Sequence, residues 1–276
     1  MRTRVASGLV LLCFAGGALA ADPGPVAAEK LKVCLSANIP ADVRAQSVEF
    51  RTTGRDGSTR TLNGNVFASQ EVFAATTTAG PPAQKQVRAV LQIEQPKDLA
   101  GAAYLVRESG VAAVDGTYFY LPSLGKPRKI SGASAAGSLL GTDFSFQEFK
   151  MILNSFDGMT TKLESIDKLD GRDVYVAIFT PEDKESDVGL IRGWIDQQTC
   201  VPLKLDFHKG EKLNKQAIVK PDDVRQARGI WFPVEVDMKD LGAGTHTVLR
   251  ATIVERPVAV PPTVFEPETF FTAVKP

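Results

Sequence analysis

His208 and His246 are the only histidines in the 276 residues. Each stands in a polar strand or turn, where a surface position is the plainer assignment than metal ligation or proton transfer. Carboxylates gather at Glu182-Asp183 with Glu185 and Asp187, and at Asp222-Asp223. Such runs solvate loops, and a carboxylate-pair hydrolase would need two acids brought together by the fold. No G-x-S-x-G elbow, H-E-x-x-H, C-x-x-C or phosphate-binding glycine loop occurs. The residues therefore point away from an enzyme, a metal site or a cofactor. What remains is a basic cluster, Lys126, Arg128 and Lys129, and the cysteines.

The chain begins with Arg2 and Arg4, an apolar run over 5–19 and the ending Ala18-Leu19-Ala20, which are the charge, core and cleavage features of a secretory signal. A membrane anchor fits less well, because a bilayer asks for roughly 20 apolar residues; lipidation at Cys13 fits less well still, since the cysteine follows Leu12. The expected product is one soluble periplasmic domain over 21–276 after a leader over 1–20. Lys+Arg 32 against Asp+Glu 32 argues against nucleic acid or an anionic membrane as the main partner. A monomer is expected. In an oxidising compartment Cys34 and Cys200 are expected to pair rather than to remain two buried thiols, and so long a bridge is worth about 5 kcal/mol in the chain-entropy account.

The elements that carry these residues are mostly strands. Asp56-Gly57, Asp115-Gly116 and Asp170-Gly171 each stand between extended runs, the strongest short hairpin signal because both turn positions favour φ > 0. Two more hairpins follow, 190–196 with 201–208 through 197–199, and 231–240 with 245–255 through 242–244. Alternation places Val87, Ala89, Leu91 and Ile93 on one face, with Leu203, Leu205 and Phe207, and with Phe232, Val234, Val236 and Met238. One face is expected to be dry throughout. A helix over 27–37 presents Leu31, Cys34 and Leu35 at i, i+3, i+4. The segment 63–85 reads as an exposed excursion, and the proline-rich tail from Arg256 as an edge packing with Phe265, Phe270 and Phe271 inward.

The densest stretch runs from Thr117 to Phe149. It holds an aromatic strand, a small-residue segment after the basic cluster, and Ser145-Phe146-Gln147-Glu148 with capping-box spacing ahead of Phe149, Ile152, Leu153 and Phe156. The order Tyr118-Phe119-Tyr120-Leu121-Pro122, then Arg128-Lys129-Ile130, then Gly141-Thr142-Asp143-Phe144-Ser145-Phe146 resembles the periplasmic outer-membrane lipoprotein-sorting (LolA-like) proteins. Trp194-Ile195-Asp196, the run from Pro202 to Phe207 and Trp231-Phe232-Pro233 follow in that family's order, so the likeness covers most of the chain. It departs at Lys126-Pro127-Arg128-Lys129, where the family is richer in arginine, and over 63–85, which reads as inserted.

The resemblance implies an antiparallel curved sheet or open half-barrel of about ten strands with a short helical lid. It also implies a carrier for a lipid, lipoprotein acyl chain or other hydrophobic molecule, bound for the outer membrane and served by an inner-membrane transporter and an outer-membrane acceptor. An envelope sensor or adaptor on the same fold is the alternative. Leu91, Tyr104, Tyr118, Tyr120, Phe232 and Val234 are the candidate cavity lining. Lys126, Arg128, Lys129 and Phe149 are the candidate lid and headgroup or partner contacts, with 131–141 as the mobile segment. Whether side chains fill the inner face or leave it hollow is open at this stage.

Overall fold

Asp170 and Gly171 both take positive φ, 48° and 79°, as a two-residue hairpin turn requires. They join two long strands in a computed structural model that describes residues 24–71, 86–108, 115–153, 155–156, 158–182, 189–254 and 259–274. The expected leader over 1–20, the expected first strand of the Asp115-Gly116 hairpin and the acidic run at 183–187 lie outside the described residues.

In chain order the elements are helix α1 (Gly24–Leu35), then β1 (Arg44–Thr53), β2 (Thr59–Gln70), β3 (Val87–Gln95), β4 (Ala103–Arg107), β5 (Gly116–Tyr120) and β6 (Arg128–Ile130), then helix α2 (Phe146–Ile152). After it come β7 (Met159–Leu169), β8 (Arg172–Pro181), β9 (Ile191–Asp196), β10 (Pro202–Lys209), β11 (Lys212–Ile218), β12 (Val224–Ala227), β13 (Ile230–Pro233), β14 (Glu235–Asp240) and β15 (Thr245–Ile253). Thirteen strands form one antiparallel sheet in the order β6-β5-β4-β3-β2-β1-β15-β14-β11-β10-β9-β8-β7, and β12 pairs only with β13. The sheet is mainly meander, it is not closed, and it exceeds the ten or so strands expected.

The two edges nevertheless approach each other. Thr117 and Ile130 of β5 and β6 share one cleft with Met159 and Pro181 of β7 and β8, and α2 stands between them. The sheet thus curls around its helices like an unclosed barrel. One apolar cluster fills the inner face: Leu31, Cys34 and Leu35 from α1, Phe50, Val66, Leu91 and Tyr104 from the first half of the sheet, and Phe179, Ile195, Leu203 and Leu205 from the second.

Several expectations change at this level. A single dry face fails on β8, where the consecutive residues Val174, Tyr175, Val176 and Ala177 are all buried, and over β1–β5, where Ala45, Phe67, Val90, Ala103, Leu105 and Tyr118 are buried on the outer face as well. Over β1–β5 the tail causes this. Val264, Phe265 and Phe270 lie across that outer face rather than along an edge. Gln92 fixes the tail by donating from Nε2 to the carbonyls of Phe270 (2.7 Å) and Thr272 (2.8 Å), while its Oε1 accepts from the amide of Val274 (3.0 Å). Arg107 bridges Glu71 and Glu266 beside it.

The expected strand over 231–240 breaks at Pro233, which has no amide to continue the ladder, so β13 folds back on β12 through Arg228-Gly229 (φ 48° and 79°). Residues 63–70 are not an excursion but the second half of β2. Asp56-Gly57 sits in a longer loop, closed by Gly54 N–H to Ser58 O at 2.8 Å, rather than in a two-residue turn.

Cys34 and Cys200 form a disulfide across 166 residues, tying α1 to the turn between β9 and β10. That turn is locked by Asp196, whose carboxylate takes both Arg172 Nε (2.6 Å) and Nη2 (3.1 Å) and the amides of Gln198 (2.8 Å) and Thr199 (2.7 Å). Burial raises the Asp196 pKa, but Arg172 and the two amides outweigh it, and the group is held below the usual carboxylate range. A depressed folded pKa contributes stability that is complete above the unfolded value and is lost as pH falls through the folded one. Asp196→Asn is therefore expected to destabilise by about 2–4 kcal/mol at pH 7, discounted for the part-exposed Arg172; urea melts at pH 7 and below pH 4 should show the difference shrinking in acid. Reduction of the disulfide should lower the melting temperature, and thiol titration of the denatured, unreduced protein from residue 21 onward should find no free thiol.

Candidate functional site

Ser145 caps α2 as its spacing promised. Its hydroxyl accepts from Glu148 N–H (3.1 Å) and its own amide donates to Glu148 Oε2 (2.6 Å). Lys215 Nζ neutralises the same carboxylate at 3.1 Å, so the start of the helix is fixed to β11. Fixing the start aims the apolar side chains. Phe149 reaches the rings of Phe50 (5.5 Å), Tyr104 (5.9 Å) and Phe144 (6.2 Å), and Tyr104 stacks on Phe146 at 5.5 Å. Burial pushes the Tyr104 phenol up, so it keeps its proton, and its O–H donates a hydrogen bond to Phe146 O at 2.7 Å.

The helix has two working sides. Phe146, Gln147 and Lys150 look into the cleft between the sheet edges, a space of about 290 Å³ with mixed polar and apolar walls. Phe149, Ile152 and Leu153, at i, i+3 and i+4, wall a different space. This second pocket, of about 100 Å³, is floored by Val48 of β1, Val66 and Ala68 of β2, Val236 of β14 and Leu249 and Ala251 of β15. Its roof is the β12–β13 hairpin, through Ala227, Ile230, Trp231, Phe232 and Pro233. Trp231 N–H donates to Asn38 Oδ1 (2.9 Å), and Asn38 Nδ2 donates to Thr199 O (2.9 Å), so the roof hangs from the segment after α1 and the cross-linked turn. Asn38, Arg44 and Gln46 are the polar members of the lining. The apolar pocket is the candidate site, because nothing in it asks for a polar ligand over most of its wall.

The structure sorts the expected lining residues three ways. Phe232 lines the pocket; Val234 is not part of it, sitting at the break after Pro233, where its carbonyl accepts from Ala251 N–H (2.9 Å). Leu91 and Tyr104 lie on the inner face but beneath α2, in filled core. Tyr118 and Tyr120 are on the other face altogether. Register pairs Leu91 with Tyr104 and Tyr104 with Phe119, so Phe119 points inward and its neighbours outward. Tyr120 stacks on Phe271 at 3.9 Å.

Of the expected lid and contact residues, Phe149 is buried and walls the pocket. Lys126, Arg128 and Lys129 are exposed at the β6 edge, away from the pocket, with Lys129 Nζ 5.6 Å from the outward Tyr118 ring. Nor is 131–141 loose along its whole length, since Leu139 is buried and Ser131 and Ser134 form a capping box.

Sequence reading missed the roof and Arg44. The available signal was Arg228-Gly229 between two short apolar-containing runs, a two-residue turn pair. Among the described residues no group of three His, Cys, Asp or Glu side chains is placed to hold a metal, and no helix is long and apolar enough to cross a membrane. His208 on β10 and His246 on β15 are both outside the apolar lining, and His208 instead borders a separate, more polar cleft with Glu148 and Lys215.

A family model described as "-like: Uncharacterized protein" matches residues 85–271. No curated protein matches the chain. Among solved structures, a DUF1329 family protein from Desulfovibrio piger shares 22% identity at a TM-score of 0.71, covering 88% of this chain and 97% of that one. A protein described as an outer membrane lipoprotein-sorting protein domain, from Vibrio parahaemolyticus, shares 19% at 0.69 over 86% and 94%. A LolA superfamily protein from Nitrosomonas europaea shares 18% at 0.62 over 87% and 96%. The fold is thus LolA-like, an open, curved antiparallel sheet.

Because Phe149 ties α2 to the inner face, Phe149→Ala should cost about 3–5 kcal/mol, read by urea denaturation. Phe232→Ala, on the half-buried roof, should cost less than half of that.

Proposed function

We propose, from the premise that the chain belongs to the family described as "-like: Uncharacterized protein" and has the LolA-like fold, that it is a periplasmic carrier for a hydrophobic molecule bearing an acyl chain. The observation that carries this reading is the apolar pocket between the inner face and the β12–β13 roof. Such a wall recognises hydrocarbon without a specific polar contact, at about 0.8 kcal/mol per buried methylene. At about 100 Å³ the pocket takes a short apolar group as it stands, less than the roughly 300 Å³ at which ordinary ligand pockets begin. Loading a longer chain requires the roof to lift. The roof is suited to that, since β12 and β13 bond only to each other as strands. Delivery to the outer membrane belongs to the same reading, and the exposed Lys126, Arg128 and Lys129 at the β6 edge are the proposed contacts for an acidic transporter or acceptor surface.

The test is uptake of a fluorescent fatty-acid probe, with native mass spectrometry of protein purified from the periplasm. Ala68→Phe and Ala251→Phe fill the pocket floor and should lower probe affinity at least tenfold in folded protein. Replacing Lys126, Arg128 and Lys129 with Gln should leave stability within about 0.5 kcal/mol and probe binding unchanged, while slowing transfer to acceptor vesicles. A folded protein that takes up no probe and co-purifies with no lipid would overturn the carrier. Capture of an envelope protein in its place would move the reading to the adaptor.

A further inference from the structure

Arg44 lies where an apolar pocket should have no charge. It is the first residue of β1, its side chain is among those lining the pocket, and the tip of the β12–β13 roof comes down on it, with Arg44 Nη2 donating to Arg228 O at 3.5 Å. Its Nε is buried and has no hydrogen-bond partner. Buried donors are almost always satisfied, so one that is not calls for an explanation. The neighbouring polar groups do not supply it. Asn38 is committed at both ends, to Thr199 and Trp231. Burial first, and then the positive charge of Arg228, press against the charged state of Arg44, while Asp42 acts in the opposite sense. One cation with an unspent donor therefore stands at the end of a hydrocarbon-lined space, and the charge of the exposed Arg228 acts on it from beside the rim.

We infer that the cargo is a single-chain amphiphile with an anionic head, a carboxylate or a phosphate monoester, and that Arg44, aided by Arg228, meets the head while the chain lies between the sheet floor and the roof. This rests on the carrier reading above. The planar guanidinium fork matches a carboxylate or phosphate oxygen pair, and such an anion would satisfy the Arg44 Nε and offset the repulsion between the two arginines. A neutral hydroxyl could accept from the Nε but could not offset the repulsion. Selection by charge at the rim and by hydrocarbon within would give specificity for a class of head and tolerance of chain length.

Binding of dodecanoate, dodecyl phosphate and dodecanol, measured by displacement of the fluorescent probe at pH 7.5 and low salt, separates head from chain, with inorganic phosphate alone as a fourth ligand. The wild-type protein should bind both anions at least tenfold tighter than dodecanol, and the preference should shrink as salt screens the contact. Inorganic phosphate should not displace the probe. Arg44→Gln should bring the three chains to similar affinity, Arg44→Lys should keep part of the preference, and Arg228→Gln, at an exposed position, should lower it without loss of folding. Equal binding of dodecanol and dodecanoate by the wild type, or a preference that survives in Arg44→Gln with Arg228→Gln, would overturn the headgroup assignment and leave the carrier standing. Failure of every chain to bind would overturn both. Displacement by inorganic phosphate alone would show an anion site without a chain site, and would also overturn the inference.

Discussion

A sheet that curls without closing must find something to bury against its inner face, and in this protein that requirement is met by one phenylalanine-rich wedge. Phe149 contacts Phe50 on β1, Tyr104 on β4 and Phe144 ahead of its own helix. Thirteen strands contribute to the sheet, yet only two α-helices are available among the described residues to cover it. The wedge therefore decides which parts of the inner face become solid core and which remain hollow. Beneath α2 the aromatic rings fill the space. Past its last turn, at Ile152 and Leu153, they do not, and the pocket begins there.

Polar interactions hold the wedge at the right height rather than supplying its energy. The Ser145–Glu148 box satisfies amides at the helix start, and Lys215 pins the glutamate from β11. Asp143 joins the same network, its carboxylate accepting from the hydroxyls of Thr245 (2.5 Å) and Thr247 (2.7 Å) on β15. At the opposite end, Lys150 pairs with Glu108, whose carboxylate also accepts from Ser155. Apart from the box itself, these contacts cross from the wedge to β11, to β15 and to Glu108 just after β4, so displacement of α2 would break several buried polar pairs at once. This is a reason to place opening in the roof instead. The hairpin hangs from Asn38 and from the Arg44–Arg228 contact, and its own ladder is independent of the main sheet.

The outer face is treated in a different way. Over β1–β5 it is apolar, and the tail closes it with Phe265 and Phe270 while Gln92 binds three backbone groups of the tail. Arg88 sits over the Phe265 ring at 4.7 Å, so residues that read as solvent-facing on β3 are in fact the clamp for the tail. The inner and outer faces of the same strands thus carry separate tasks, one containing the pocket and the other sealing the sheet.

The local pattern of the sequence was enough for the hairpin strands β7 to β10, the Asp170-Gly171 turn, the Ser145 cap and the buried side of α1, because each depends on neighbours within a few residues. The cysteine pair was also legible, since cysteine number and the export expected from the N-terminal pattern limit the choices. Period-two alternation says which residues share a face but not which face is inside. Tyr118 and Phe119 exchanged places for that reason, and only register with Leu105 and Tyr104 decided it. The roof depended on Pro233 breaking a strand that otherwise reads as continuous, and Arg44 belongs to the pocket only because residues 184 apart in sequence meet at its rim. Contacts of that separation follow from how far the sheet curls, a property of the whole ladder that no single stretch of the chain encodes.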